Sequence, residues 1–198
     1  MPQLLLATTN PGKIREYRLL LAGEGYQIVT LSEQGITEAV TEEGESYEQN
    51  AARKAVVYAK LSRLITLADD SGIEVDALNG KPGVHSARFA GKKATDADRV
   101  AKLLAMLSGV PRDKRTAHFK CVIAIATPEG KLDICQGECH GIVAFEAKGE
   151  NGFGYDPIFY LPGLGKTMAE LPPRLKNRLS HRGKAARKAR KILAQRRG

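Results

Sequence analysis

Hydrophobic positions along this chain recur with two periods, and the places where one gives way to the other mark its elements. Residues 3–8 form an apolar run that breaks at Thr9-Asn10-Pro11-Gly12, after which Ile14, Tyr17, Leu20 and Leu21 return at helical spacing. The pattern predicts a strand, a tight loop and a helix. A second helix is expected from Ser46, because Gln49 stands where it completes a capping box and Tyr47, Ala51, Ala55 and Tyr58 fall on one face. A third begins at Thr95, capped with Asp98 and striped by Val100, Leu103, Leu104 and Leu107.

Between the second and third helices, 65–68 reads as a short strand ending in Asp69-Asp70-Ser71-Gly72, and 79–91 is a stretch containing Gly and Pro. Phe119, Cys121, Ile123 and Ile125 alternate with His118, Lys120 and Val122, and Pro128-Glu129-Gly130 turns the chain into 132–139, which predicts a β-hairpin. A further strand is expected over 141–145, followed by an irregular segment over 149–173. That segment is longer than a usual connection, a property of functional loops. Helices, hairpin strands and a βα unit together predict an α/β fold with a mixed sheet, arranged as one domain over 1–198. No internal repeat or low-complexity linker interrupts it.

Composition excludes several classes. With 42% hydrophobic and 27% charged residues, the chain is neither disordered nor fibrous. No apolar run approaches the roughly 20 residues that span a bilayer, and Met1-Pro2-Gln3 lacks a basic secretory leader, so a cytoplasmic protein without a membrane partner is expected. Cys121, Cys135 and Cys139 are odd in number and form no paired CxxC units, which favours reduced thiols. The net charge of +9 suggests nucleic acid until it is located. Eight basic residues and no acidic one lie from Arg182 onward, leaving the remainder near +1. The excess belongs to a basic C-terminal helix expected over about 183–198.

Four segments are more polar than packing requires. In Thr8-Thr9-Asn10-Pro11-Gly12-Lys13, helix N-terminal amides, two hydroxyls and an ammonium converge, which suits a polyphosphate, although an ordinary capped helix would read the same. Asp69 and Asp70, adjacent on a strand, point to opposite faces, so one carboxylate can serve chemistry while the other supports the turn. Mg²⁺ takes one or two carboxylates plus phosphate oxygens, and Glu42 and Glu43 ahead of the second helix could complete such a site. A solvated acidic turn is the alternative. Gly152-Phe153-Gly154-Tyr155-Asp156-Pro157 sets aromatics between glycines, as either a base-stacking surface or a turn with core aromatics. It lacks the third glycine of a dinucleotide fingerprint, and Gly165-Lys166-Thr167 lacks the earlier P-loop glycine. Lys176, His181 and Arg182 place three cationic or imidazole groups within two helical turns, or simply open the basic tail. Cys135, Cys139 and His140 fit strand packing better than a metal site.

Taken in order, these segments resemble the HAM1/RdgB-like inosine/xanthosine triphosphate pyrophosphatase family over nearly the whole chain. The matching stretches are Leu6-Ala7-Thr8-Thr9-Asn10-Pro11-Gly12-Lys13, Ala68-Asp69-Asp70-Ser71-Gly72, Val75-Asp76-Ala77-Leu78, Pro82-Gly83-Val84, Ser86-Ala87-Arg88, Gly152-Phe153-Gly154-Tyr155-Asp156-Pro157-Ile158-Phe159 and Ser180-His181-Arg182-Gly183-Lys184-Ala185. The resemblance implies an elongated two-lobed α/β fold with a strongly twisted mixed sheet, a cleft between lobes, Mg²⁺ dependence and a homodimer. It implies hydrolysis of ITP, dITP and XTP to the monophosphate and pyrophosphate.

By the same resemblance, Thr8, Thr9, Asn10, Pro11, Gly12 and Lys13 hold the phosphates, and Asp70 is the base and a metal-associated carboxylate. Lys54 adds positive charge and Ser71 contacts substrate. Phe153, Gly154, Tyr155 and Asp156 contact the nucleoside, while Lys176, His181 and Arg182 complete the base and phosphate pocket. Arg182, a pure donor, would meet the 6-keto group that adenine lacks. The family commonly carries Glu where this chain has Gln49 and Leu175, and Tyr where it has His85. Glu42 is the nearest match for the family's acidic ligand, with Glu43 and Glu45 as alternates. Two rivals stay open: a nucleic-acid-binding protein using the basic tail, and a related pyrophosphatase acting on other nucleotides. Nucleic acid is not expected as a partner of the first reading.

Overall fold

A computed structural model describes residues 1–41 and 44–196. Its elements in chain order are β1 (Gln3–Leu6), α1 (Pro11–Leu20), β2 (Gln27–Thr30), α2 (Tyr47–Ser62), β3 (Ile65–Val75), α3 (Asp96–Met106), β4 (Thr116–Ala126), β5 (Leu132–Val143), β6 (Phe159–Leu161), β7 (Lys166–Thr167), α4 (Pro173–Leu179) and α5 (His181–Gln195). The strands form one mixed sheet in the order β2-β1-β3-β4-β5-β6-β7. β1 pairs in parallel with β2 and β3, and β6 pairs antiparallel with β5 and β7. The fold is the expected α/β class with a mixed sheet and flanking helices.

Helices α1, α2 and α3 begin where side chains can satisfy their orphan amides. The Asn10 side chain accepts from the Lys13 amide, and Pro11 stands at the first turn, where its missing N–H costs nothing. Thr95 and Asp98 form the full capping box of α3. At α2 the box is half made: Ser46 accepts from the Gln49 amide, but the Gln49 side chain accepts from Glu45 N instead.

Two compact units are assembled from separated segments. Unit 1 comprises Met1–Asp70, Cys121–Gly137 and Arg182–Gly198; unit 2 comprises Ser71–Lys120 and Glu138–His181. In unit 1, Leu4, Leu6, Tyr17, Leu67, Ile123 and Ile125 pack with Ala185, Ala186, Ala189 and Leu193 of α5. In unit 2, Ile73, Val75, Leu103, Phe119, Ile158 and Phe159 form the core.

Four expectations need correction. The strand expected over 65–68 runs on to Val75, because the polar residues that look like a turn are bonded on both faces of an extended chain. The strand expected over 141–145 is the end of β5, whose last two residues pair with β6. The segment 149–173 is not irregular throughout, since it holds β6, β7 and three short 3₁₀ turns. The C-terminal helix starts at His181, and its apolar stripe belongs to the unit 1 core, so it is not a solvated tail.

Candidate active site

Unit 1 gathers a phosphate-type loop and a pair of carboxylates. β1 is buried along Leu4, Leu5 and Leu6, and its end delivers Thr8, Thr9 and Asn10 to the start of α1. Thr8 Oγ1 accepts from the Asn10 amide at 3.2 Å, which holds the loop in a tight turn. Thr9 and Asn10 are exposed, Gly12 is buried, and Lys13 lies between these extremes. The loop presents hydroxyls and N-terminal amides to an anion.

Successive β3 residues point to opposite faces, and Asp69 and Asp70 use both. Asp69 is enclosed: Oδ1 accepts from Lys13 Nζ at 2.9 Å, and Oδ2 accepts from Arg182 Nε at 3.4 Å and from Cys121 Sγ at 3.7 Å. Its backbone carbonyl accepts from Lys54 Nζ at 2.6 Å. Burial pushes the Asp69 carboxyl upward, but Lys13, Arg182 and Lys54 outweigh it and hold the group well below the usual carboxylate range. Arg182 donates through Nη1 to Glu16 at 2.7 Å and is 2% exposed. Burial would lower its pKa, yet Glu16 and Asp69 raise it well above the usual value. Beside Asp69, burial and that carboxylate's charge push the Cys121 thiol up to about 12. Lys13, Lys54 and Arg182 thus converge on Asp69, with Glu16 bound to the far side of Arg182.

Asp70 faces α2. Its Oδ2 accepts from Asn50 Nδ2 at 2.8 Å, and Asn50 Oδ1 accepts from the Gly44 amide at 2.8 Å. Glu42, expected as the second metal carboxylate, and Glu43 lie outside the described residues. Among the described residues no group of three or more His, Cys, Asp or Glu side chains is arranged to hold an ion. Mg²⁺ needs fewer protein ligands, since it keeps waters and takes substrate phosphate oxygens. The Asp70 carboxylate, with Oδ2 held by the Asn50 amide, fits that donor set, whereas Asp69 is already bound by Lys13 and Arg182.

Unit 2 holds the remaining expected residues. Asp156 and Lys176 form a buried ion pair at 2.5 Å, each side chain 4% exposed. Asp156 Oδ2 also accepts from the Phe153 amide at 2.8 Å, and Lys176 Nζ lies 4.9 Å from the Phe153 ring centroid. Gly152 has φ +80°, and a Cβ there would run into the Asp156 carboxylate, so glycine is required for this turn. The Gly154 amide donates to Asp96 Oδ2 at 2.6 Å. His181 stacks on Phe119 with ring centroids 4.6 Å apart. Ser71 is half-buried at the start of this unit.

The geometry gives several expected residues defined partners. Tyr155 is 5% exposed and its hydroxyl donates to Ser86 O at 2.8 Å, while Phe153 is half-buried with the Lys176 ammonium over its ring. Arg182, expected to meet a base, is committed inside unit 1 to Glu16 and Asp69. Lys176 and His181 are not on one helix, because Ser180 adopts extended geometry between α4 and α5. Asn50, Glu16 and Cys121 were not anticipated. Asn50 had a readable signal: with Lys54, one helical turn on, it interrupts the apolar face of α2 with buried polar groups.

Comparison with known proteins places these features. The family model described as the Ham1 family matches residues 4–192. A protein of Desulforamulus reducens named dITP/XTP pyrophosphatase is 53% identical over 96% of this chain and 95% of its own. The solved structure of a HAM1 protein from Coxiella burnetii aligns with TM-score 0.88 at 41% identity, covering 98% of this chain and all of that one. The Staphylococcus aureus Ham1 protein aligns with TM-score 0.86 at 39% identity, covering 98% of this chain and 99% of its own. With a family match over residues 4–192 and relatives this similar over nearly its whole length, the chain belongs to the Ham1 family.

Proposed function

We propose that this chain hydrolyses non-standard purine nucleoside triphosphates, ITP, dITP and XTP, to the nucleoside monophosphate and pyrophosphate. The observation that carries the reading is the Lys13–Asp69 pair, 2.9 Å apart, which ties the loop at the α1 N-terminus to a strand whose next residue is Asp70. Cleavage between the α- and β-phosphates requires three things: an anchored triphosphate, an activated water and charge neutralisation on the departing pyrophosphate. The Thr8–Lys13 loop anchors the phosphates through hydroxyls and amides, and Lys13, with Lys54 behind it, offsets their charge. Asp70, oriented by Asn50, accepts a proton from the attacking water. Mg²⁺ is the proposed ion, held by Asp70 and by Glu42 outside the described residues, and when bound it supplies positive charge to the phosphate oxygens.

For the nucleoside we propose Phe153, with Gly154, Tyr155, Asp156, Lys176, His181, Arg182 and Ser71 as the other contributing residues. The Arg182 guanidinium also holds Asp69 and, through it, Lys13. A 6-keto group accepts where the amino group of adenine donates, so a donor at that position discriminates by about 1–3 kcal/mol. We also propose a homodimer, and a cytoplasmic location that suits three free thiols. Among the described residues no helix is long and apolar enough to cross a membrane.

The test is a panel of triphosphates assayed for pyrophosphate release with Mg²⁺ present. Release from ITP, dITP and XTP with at least tenfold lower kcat/KM for ATP is expected. Intact ITP, or equal turnover of ATP and ITP, overturns the reading, and preference for a modified pyrimidine identifies a related pyrophosphatase instead.

A further inference from the structure

We infer that Asn50 is the positioning residue of the reaction, setting the direction of the Asp70 carboxylate and tying it to the backbone of the acidic segment before α2. Asn50 is 1% exposed, and both ends of its amide are engaged: Nδ2 donates to Asp70 Oδ2 at 2.8 Å while Oδ1 accepts from the Gly44 amide at 2.8 Å. One rigid planar group therefore fixes two separate pieces of chain relative to each other. Burying an amide this deeply costs unless every polar atom is matched, and here the match is to a carboxylate and to a loop amide.

The surroundings are built for that bridge. Ser46 caps α2, so Asn50, in the helix's first turns, projects from a fixed backbone. A Cβ at Gly44 would stand 2.7 Å from Asn50 Oδ1, so the segment comes this close because position 44 has no side chain. The Glu45 amide is held in turn by the Gln49 side chain at 2.9 Å, a second clasp on the same segment. Position 49 supplies a neutral amide acceptor to this clasp, and position 50 supplies the donor that Asp70 needs. Asp70 is thus presented as an oriented carboxylate with one oxygen occupied by a neutral donor, a geometry that directs its other contacts. A misplacement of about 1 Å at a reacting group costs on the order of a hundredfold in rate.

This inference rests on the proposed pyrophosphatase activity, and its test separates the two. Asn50→Asp keeps the size of the side chain and the acceptor for Gly44 but replaces the donor to Asp70 with oxygen. Asn50→Ala removes both. With ITP and Mg²⁺, both variants are expected to lose about a hundredfold in kcat, with KM within threefold of wild type and a cooperative thermal transition retained. Amide hydrogen exchange gives a readout independent of turnover: Gly44 protection should be lost in Asn50→Ala and retained in Asn50→Asp. Either folded variant with kcat within threefold of wild type, or unchanged Gly44 exchange in Asn50→Ala, overturns the positioning role. A wild-type enzyme that leaves ITP intact overturns the activity itself, and the role of Asn50 falls with it.

Discussion

Lys13 Nζ lies 2.9 Å from Asp69 Oδ1, and the carboxylate that receives it is fully buried. The loop lysine is therefore not a freely moving arm but one end of a charge chain running Lys13, Asp69, Arg182, Glu16. Removing one member of such a chain leaves an uncompensated buried charge, which costs about 3–5 kcal/mol. Asp69→Asn is expected to lower stability by that order in urea unfolding, and to raise KM for ITP because Lys13 loses its anchor. A variant with wild-type midpoint and KM shows that the chain of charges does not organise the loop.

Asp70, one residue along, has a different prediction because its carboxylate, held by the Asn50 amide, is the proposed proton acceptor. Asp70→Asn keeps the shape and loses the proton acceptor, so kcat should fall by about a hundredfold or more with the thermal transition little changed. The stability loss of the Asp69 variant and the rate loss of the Asp70 variant should separate cleanly. Steady-state turnover unchanged in Asp70→Asn removes this carboxylate from the reaction.

The opposite fates of these neighbours show what the sequence made legible. Alternation along a strand told that one carboxylate faces away from the other, and the Asn10 and Thr95 caps located α1 and α3. Alternation alone did not say which aspartate is enclosed; the resemblance singled out Asp70, and the partners that enclose Asp69, Arg182 and Cys121, lie more than 50 residues away in the chain. The same distance effect hid the length of β3: Asp69-Asp70-Ser71-Gly72 has turn composition, and long-range bonds keep it extended. β6 and β7 were invisible because strands of three and two residues show too little periodicity to register. The pairing of Arg182 with Glu16 was not readable either, since its acidic partner sits in α1 at the other end of the chain.

The cysteines test the burial of the Asp69 cluster from another side. Burial and the Asp69 charge hold the Cys121 pKa at about 12, and burial raises Cys135 to about 11. The thiolate is the reactive form, so both should be almost wholly protonated at pH 8. Native protein is expected to react with a disulfide reagent far more slowly than a free thiol, and denatured protein to titrate three thiols. Rapid modification of Cys121 in the native state shows that the cluster opens to solvent, and with it the ion pairs.

The basic C-terminal helix separates an enzyme from a nucleic-acid-binding protein, but not by truncation. Cutting after Lys184 would remove Ala185, Ala186, Ala189 and Leu193 from the unit 1 core, and loss of a buried leucine alone costs about 2–5 kcal/mol. Loss of any function in that variant would report unfolding. Part of the basic charge is also already used within the chain, where Arg190 meets Glu24, Arg196 meets Asp133 and Lys188 donates to Gln136 O. Arg187 and Lys191 are exposed, and reversing both to Glu changes the surface charge while sparing the apolar stripe. A protein that binds nucleic acid through this helix would lose salt-dependent affinity steeply, because each phosphate contact removed lowers the salt slope by about one. We expect ITP hydrolysis by Arg187→Glu/Lys191→Glu to stay within about twofold of wild type, since surface changes of this kind seldom disturb a folded core. A double variant that loses tight duplex binding shown by the wild type, and whose wild type leaves ITP intact, would instead assign the helix to nucleic acid.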